Sequence, residues 1–323
     1  MGPGNQTSIK EFIFVGLSSQ RKTQILLFVI ILIIYILTVV ENLVIILLVR
    51  MDSHLHMPMY FFLMNLSILE ICYVSASIPQ MLANLLSGSG VISFGRCAAQ
   101  MYFGAAMGCV ECLLLAVMAY DRYLAICCPL LYVAIMHRWR QRQLAIASWA
   151  VGFLIATIDV SCTFRHPFCG PSHINHFMCE QPMVLKLACG DTRITEAIMF
   201  VNSAVVFLGP LSVIFTSYML ILSSIIRMRS SASQHKAFST CGSHLVIVTI
   251  FYGTAMSVYM KPRSGGSPDL EKQIAVFYVA VTPLFNPIIY TLRNKDVHGA
   301  MARVLQRRKC EQNGLALTSW CIS

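Results

Sequence analysis

The chain has 323 residues, 57% of them hydrophobic and 12% charged, with a mean hydropathy of +0.68. Two soluble domains would fit the length but not that composition, which is a membrane protein's. The formal charge of +10 would suit nucleic acid, yet the Lys and Arg residues are parcelled into short segments between apolar runs, as at a membrane surface.

Residues 1–23 lack the basic region and apolar core of a cleavable signal peptide, so the first apolar run is expected both to target the chain and to stay in it. Asn5-Gln6-Thr7 is a glycosylation sequon, usable only on a lumenal side. Seven long apolar segments follow, at about 24–49, 58–86, 98–127, 143–164, 197–226, 238–260 and 272–292, each able to cross roughly 30 Å of hydrocarbon. The pattern predicts an all-α membrane protein: an extracellular N-terminus over 1–23, a seven-transmembrane helix bundle over 24–292, and a short amphipathic cytoplasmic helix with a tail over 293–323. An odd number of spans puts the termini on opposite sides. Of the 24 Lys and Arg, fourteen fall on the side of Arg122, Arg138 and the C-terminal tail and ten on the N-terminal side, where six acids also gather against four. The positive-inside rule then turns the N-terminus outward and the C-terminus to the cytosol.

Four acids, Glu41, Glu70, Glu111 and Asp159, lie within the apolar segments, tolerable only if they face the bundle interior, a wet cavity or an interface. Pro79, Pro210, Pro283 and Pro287 also fall inside runs and predict kinks that can serve as hinges. Glu70 and Glu111, two carboxylates in one bundle, call for a shared proton or a sodium ion, with Asn42 and Asn286 as neighbours; the alternative is two neutral, hydrogen-bonded acids. At the end of the third segment the run from Met118 to Cys127, MAYDRYLAIC, sets Asp121 beside Arg122. A charge pair there reads as functional, the alternative being an Arg122 that only snorkels to headgroups. Arg122 can pair with Asp121 at rest and leave it to meet a cytosolic partner, a two-state element that a ligand can bias.

The loop from Thr163 to Thr195 holds Cys169, Cys179 and Cys189, and Cys97 stands at the outer end of the third segment. All four face the oxidising side, and four cysteines allow three pairings. His166, His173 and His176 nearby invite a metal, but the spacing closes no zinc pattern, so structural disulfides beside solvated histidines are favoured. Cys72, Cys109, Cys112, Cys127, Cys128, Cys162 and Cys241 read as small buried hydrophobes. Cys310 and Cys321, in the tail with Arg307 to Lys309, are candidates for palmitoylation. Val297 to Leu305 alternates apolar and basic residues like a helix lying on a membrane.

Further motifs are Leu55 to Leu63 (LHMPMYFFL), Pro129 to Tyr132 (PLLY), Ser217-Tyr218, Lys236 to Leu245 (KAFSTCGSHL) and Pro283 to Asn294 (PLFNPIIYTLRN). In order and spacing, with MAYDRYLAIC, they resemble the olfactory (odorant) receptor family of rhodopsin-like (class A) G-protein-coupled receptors, over essentially residues 5–305. Glu41 and Glu70 depart from it, standing where the family usually has Gly and Asp.

The resemblance implies a plasma-membrane receptor, not an enzyme, that binds a small volatile odorant and raises cyclic AMP through a stimulatory, olfactory-type heterotrimeric G protein, serving the sense of smell. It implies disulfides Cys97–Cys179 and Cys169–Cys189, and sets Glu70 near Glu111 at mid-membrane. It implies that Asp121, Arg122, Tyr123, Tyr218, Asn286, Pro287 and Tyr290 form the coupling and activation switch, although Tyr218 and Tyr290 also read as interface-belt tyrosines. The basic inner loops, Arg138 to Arg142 and Arg227 to Lys236, are expected to meet the G protein or anionic membrane lipid, or only to fix topology. The implied ligand site, in the outer half of the bundle, comprises Gly104, Ala105, Gly108, Cys109, Asn202, Ser203, Val206, Tyr252, Met256, Tyr259 and Val279. These are small, apolar or neutral polar, with no obvious counter-ion, and suit a mostly apolar ligand held by one or two hydrogen bonds; each would serve helix packing equally well. No cofactor is expected beyond a bound sodium ion.

The nearest rival is a rhodopsin-like receptor for a non-odorant small metabolite. An ion transporter, suggested by the four acids, calls for an internal repeat with paired broken helices. An intramembrane enzyme calls for a motif such as His-Glu-x-x-His or Gly-x-Ser-x-Gly, and the sequence offers neither repeat nor motif.

Overall fold

The computed structural model describes residues 10–169, 172–227, 231–259, 268–292 and 295–312. Asn5, Arg229 and Cys321, with the side chains of Lys236, Tyr259, Tyr290 and Cys310, lie outside the described residues. The helices are α1 (Arg21–Met51), α2 (Pro58–Ser87), α3 (Phe94–Cys127), α4 (Pro129–Ile135), α5 (Arg138–Phe164), α6 (Gln181–Leu185), α7 (Arg193–Arg227), α8 (Ser231–Tyr259), α9 (Pro268–Val276), α10 (Thr282–Leu292) and α11 (Lys295–Gln312). Helices α1, α2, α3, α5 and α7, and the stretch Lys272–Ile289 running from α9 into α10, are long and apolar enough to cross a membrane. The apolar Cys241–Ser257 of α8 completes a seven-helix bundle.

The surface is inverted relative to a soluble protein. On α1, Leu26, Val29, Ile30, Ile33, Ile36 and Leu37 are exposed, while Thr38 and Asn42 are buried. So much exposed apolar surface belongs against hydrocarbon, and polar groups turn inward where partners exist. Thr38 donates its hydroxyl to the Ile34 carbonyl at 2.8 Å, and Asn42 its Nδ2 to the Thr38 carbonyl at 2.9 Å. Each thereby satisfies a donor on its own helix.

Helix α3 is the central post, packed on α2, α5 and α7 and touching α8. Its close approach to α5 depends on Gly152, where a Cβ would stand 2.4 Å from Val110 Cγ2 and 3.0 Å from the Ala106 carbonyl oxygen. Small residues at such crossings let membrane helices pack backbone to backbone. The last span is broken, since a turn of π-helix, Phe277–Val281, separates α9 from α10. Pro283 and Pro287 supply no N–H to the ladder, and the Phe277 carbonyl accepts both the backbone N–H of Thr282 and, at 3.4 Å, its hydroxyl.

One end of the bundle carries a lid that the helical patterning does not predict. Strands β1 (Glu11–Phe14), β2 (Val91–Ser93) and β3 (His173–Ile174) form a sheet in the order β2-β1-β3, β1 running antiparallel to β2 and parallel to β3. Two to four residues are too few to show an alternating period. The bond Cys97–Cys179 ties the loop to the start of α3, and Cys169–Cys189 closes the loop on itself. Phe12, Phe94, Phe164 and Phe168 stack edge to face beneath the sheet.

At the opposite end, α11 packs Val297 and Ala300 inward, and Arg303 places Nε at 2.8 Å and Nη2 at 2.7 Å from Asp52 Oδ2. Burial pushes the Asp52 carboxyl up, but hydrogen bonds from the His54 N–H and ring and the Arg303 charge outweigh it and hold the pKa at about 2. The amphipathic helix is thus fastened to the bundle by a charge as well as by its apolar face. Of the free cysteines, Cys112 and Cys241 are buried; Cys72 is exposed in mid-span, and Cys109, Cys127, Cys128 and Cys162 are intermediate, so the expectation of uniform burial is corrected.

Candidate functional site

Near the lidded end, α3, α5, α7, α8 and the broken span enclose a cavity of about 100 Å³. Gly104, Ala105, Gly108 and Cys109 of α3 and Asn202, Ser203 and Val206 of α7 line it. The α3 residues are small and lie on one face, which is why space remains there. Tyr252 and Val279 are buried beside the cavity instead of lining it, Tyr252 donating its hydroxyl to the Cys112 carbonyl at 3.3 Å. Met256 packs against the core cluster.

Sequence reasoning missed several of the walls. Tyr73, Ile155, Phe207, Phe251, Ala255 and Tyr278 line the cavity, and so do Glu111, Asp159 and Gln181. The expectation of a site without a counter-ion is therefore corrected: two carboxylates face it. Asp159 Oδ1 accepts from Asn202 Nδ2 at 2.7 Å, bridging α5 to α7. Gln181 roofs the site, its Nε2 donating to the Asp159 carbonyl at 3.2 Å and to Thr163 Oγ1 at 3.0 Å. An acid in an apolar segment was the available signal for Asp159; nothing in the sequence says where a residue of the long loop will land.

Deeper in the bundle, Asn286 stands between two acids. Its Nδ2 donates to Glu70 Oε1 at 2.6 Å and makes a longer contact of 3.4 Å to Glu111 Oε1. Glu41 Oε2, Asn42 Oδ1 and Glu70 Oε2 are buried without a hydrogen-bond partner among the described residues. Two acids that share one amide donor can hold a proton between them; among the described residues no group of three or more His, Cys, Asp or Glu is placed to hold a metal ion.

At the far end of α3, Asp121 is buried, and its Oδ1 accepts the Tyr132 hydroxyl of α4 at 3.0 Å. Among the described residues no ion pair joins Asp121 to Arg122, so the expected resting partner is replaced by a tyrosine from the next helix. Its place is one turn into α4, which Pro129 starts. Arg122 is within electrostatic reach of Tyr218, Cys241 and His244. Tyr218 and His244, the latter unforeseen, share a 2.7 Å hydrogen bond between hydroxyl and Nδ1 and stack their rings, joining α7 to α8. Tyr123 packs with Tyr218 around Ile221, Ile225 and Cys241. Pro287 lies one residue beyond Asn286 inside α10.

The loop histidines do not meet. His173 is exposed, and His166 bonds Thr195 Oγ1 through Nε2 at 2.7 Å. His176 is buried, not solvated as expected, and accepts the Met178 N–H on Nδ1 at 3.3 Å. Burial, with the positive charges of Lys272 and Lys186, lowers its pKa from 6.5 to about 4. The unfolded chain therefore takes up a proton below pH 6.5 that the folded loop refuses until about pH 4. The stability so contributed is complete above 6.5 and falls across that window, by at most ~3 kcal/mol. Melting of the purified protein in detergent should drop between pH 6.5 and 4, and His176→Gln should flatten that slope; an identical slope in the variant would refute the assignment.

A seven-helix bundle with a cavity under a disulfide-tied lid and an Asp-Arg-Tyr run at the other end is the architecture of a rhodopsin-like receptor. The crystal structure of squid rhodopsin matches this fold with a TM-score of 0.69 over 93% of each chain, at 17% identity. The chain belongs to the olfactory receptor family, whose model matches residues 31–308. Curated relatives include the dog olfactory receptor-like protein OLF3, 47% identical over 94% of this chain and 96% of that one, and human olfactory receptors 2F1 and 2G3, each 46% identical over 94% of this chain and 96% and 99% of theirs. It is a multi-pass membrane receptor and not an enzyme.

Proposed function

We propose that this receptor sits in the plasma membrane with its N-terminus outside, binds a small volatile odorant in the cavity between α3, α5, α7 and α8, and activates a stimulatory, olfactory-type G protein from the cytosolic face, raising cyclic AMP. The observation that carries this reading is the single helix α3, which lines the cavity with Gly104 and Gly108 and ends in the Asp121–Arg122 pair. A ligand that shifts α3 against α7 and α8 changes what Arg122 meets, because Tyr218 and His244 belong to those two helices. Breaking the Tyr132–Asp121 bond would free the loop beyond α3 for the same partner. In the core, Glu70, Asn42 and Asn286 would hold a sodium ion or a shared proton that biases the resting state.

In cells that express the chain with the olfactory-type G protein, a volatile panel should yield at least one agonist that raises cyclic AMP. Arg122→Ala should then remove about nine-tenths of that rise, with surface level unchanged. A response that survives Arg122→Ala would overturn the role given to that residue.

A further inference from the structure

We propose that the ligand of this cavity is an amine, and that the Asp159 carboxylate is the counter-ion of its ammonium group. The proposal rests on the cavity being the ligand site of the receptor.

Asp159 is 8% exposed, and only one of its oxygens is engaged: Asn202 donates to Oδ1, whereas Oδ2 has no hydrogen-bond partner among the described residues. Asn202 can only donate through Nδ2, so Asp159 is held as an acceptor, with its second acceptor left for something inside the cavity. Glu111, 6% exposed, reaches the same cavity from α3; its Oε1 has the long Asn286 contact and its Oε2 no partner among the described residues. No Lys, Arg or His is among the described residues that line the cavity. The space therefore presents two carboxyl groups with no cation of the protein's own, and a buried carboxyl is held in its charged form when a cation pairs with it.

The remaining walls suit the same guest. Phe207, Phe251 and Tyr278 are aromatic, and ring faces attract ammonium groups. The Tyr278 hydroxyl is buried with no hydrogen-bond partner among the described residues and offers another acceptor to an N–H. A neutral apolar volatile would leave these oxygens unmatched, and an acid would be repelled. A volume of about 100 Å³ is smaller than a cavity that takes benzene, so the guest should have about six heavy atoms or fewer.

The test uses the full chain in cells with the olfactory-type G protein, and matched probes: n-pentylamine with n-pentanol, and cyclopentylamine with cyclopentanol. The amine of each pair should act at a concentration about tenfold or more below its alcohol, since the unpaired acid favours only the cation. Asp159→Asn should raise the concentration of amine required by about tenfold or more and that of alcohol far less, and Asp159→Glu should recover part of the loss. The wild-type comparison of amine with alcohol needs no variant, so it stands even if a variant fails to reach the surface. Alcohols as potent as amines, or amine responses untouched by Asp159→Asn at verified surface level, would overturn the amine assignment and leave the receptor reading intact. Silence to all four probes with basal cyclic AMP above that of Arg122→Ala would do the same. Silence with basal cyclic AMP equal to that of Arg122→Ala would overturn both.

Discussion

Cys179→Ser should cost the receptor most of its folded surface population, and Cys97→Ser should match it. The bond between them closes a loop of 82 residues, for which chain entropy gives a ceiling of about 4.5 kcal/mol. The ceiling is lowered because membrane helices remain partly formed in the unfolded chain, but half of it would still consume a large share of a typical folding free energy. Local geometry adds to the effect. The Cys179 N–H donates to Gln100 Oε1 at 2.9 Å, and two residues further on Gln181 holds the roof of the cavity against α5. Losing the anchor therefore loosens the lid as well as the loop. Cys169→Ser opens a loop of only 20 residues, with a ceiling of about 3.3 kcal/mol, and should be milder. Surface labelling and detergent melting separate the two: a Cys169→Ser variant more damaged than Cys179→Ser would show that loop entropy is not what matters here.

The spans, their order and the motifs at their ends were legible because apolar length and the Asp-Arg-Tyr and Asn-Pro signals are local. What a span shows its neighbours was not. In a soluble helix the apolar face points inward, but on α1 the exposed Ile33 and Leu37 and the buried Ile31 and Ile45 are of one chemical kind. Hydropathy therefore cannot give the rotation of a helix about its axis. That is why seven ligand-site residues fell on the cavity wall while Tyr252, one helical turn from the lining Ala255, fell behind it. It is also why Asp159 was seen as an anomaly without its role, since its partner Asn202 is 43 residues away. The Tyr132–Asp121 and Tyr218–His244 bonds escaped for the same reason: each joins two helices, and a motif describes one.

The largest effect within the bundle is expected from Asn286→Leu. Asn286 is 2% exposed and is the donor that Glu70 and Glu111 have in common. Leucine keeps the branching of asparagine at Cγ although its methyl groups are bulkier, so some repacking adds to the main loss, which is that two buried acids lose a shared N–H. Stripping a partner from a buried charged or strongly polar group costs about 3 kcal/mol or more, well above the cost of a typical core substitution. The magnitude depends on the acids and not on the asparagine. Glu70→Gln in the Asn286→Leu background should therefore restore a good part of the stability, because an amide can give as well as accept and needs no counter-charge. Non-additivity is the decisive reading: the double variant should melt higher than Asn286→Leu alone, where independent sites would make it melt lower. Sodium adds a second axis. If these oxygens hold the ion, replacing potassium by sodium chloride at constant ionic strength should raise the melting temperature of the wild type and leave both Glu70→Gln variants unmoved. Equal melting of all forms in both salts would leave a proton shared between Glu70 and Glu111, and a double variant that melts below either single one would remove the coupling altogether.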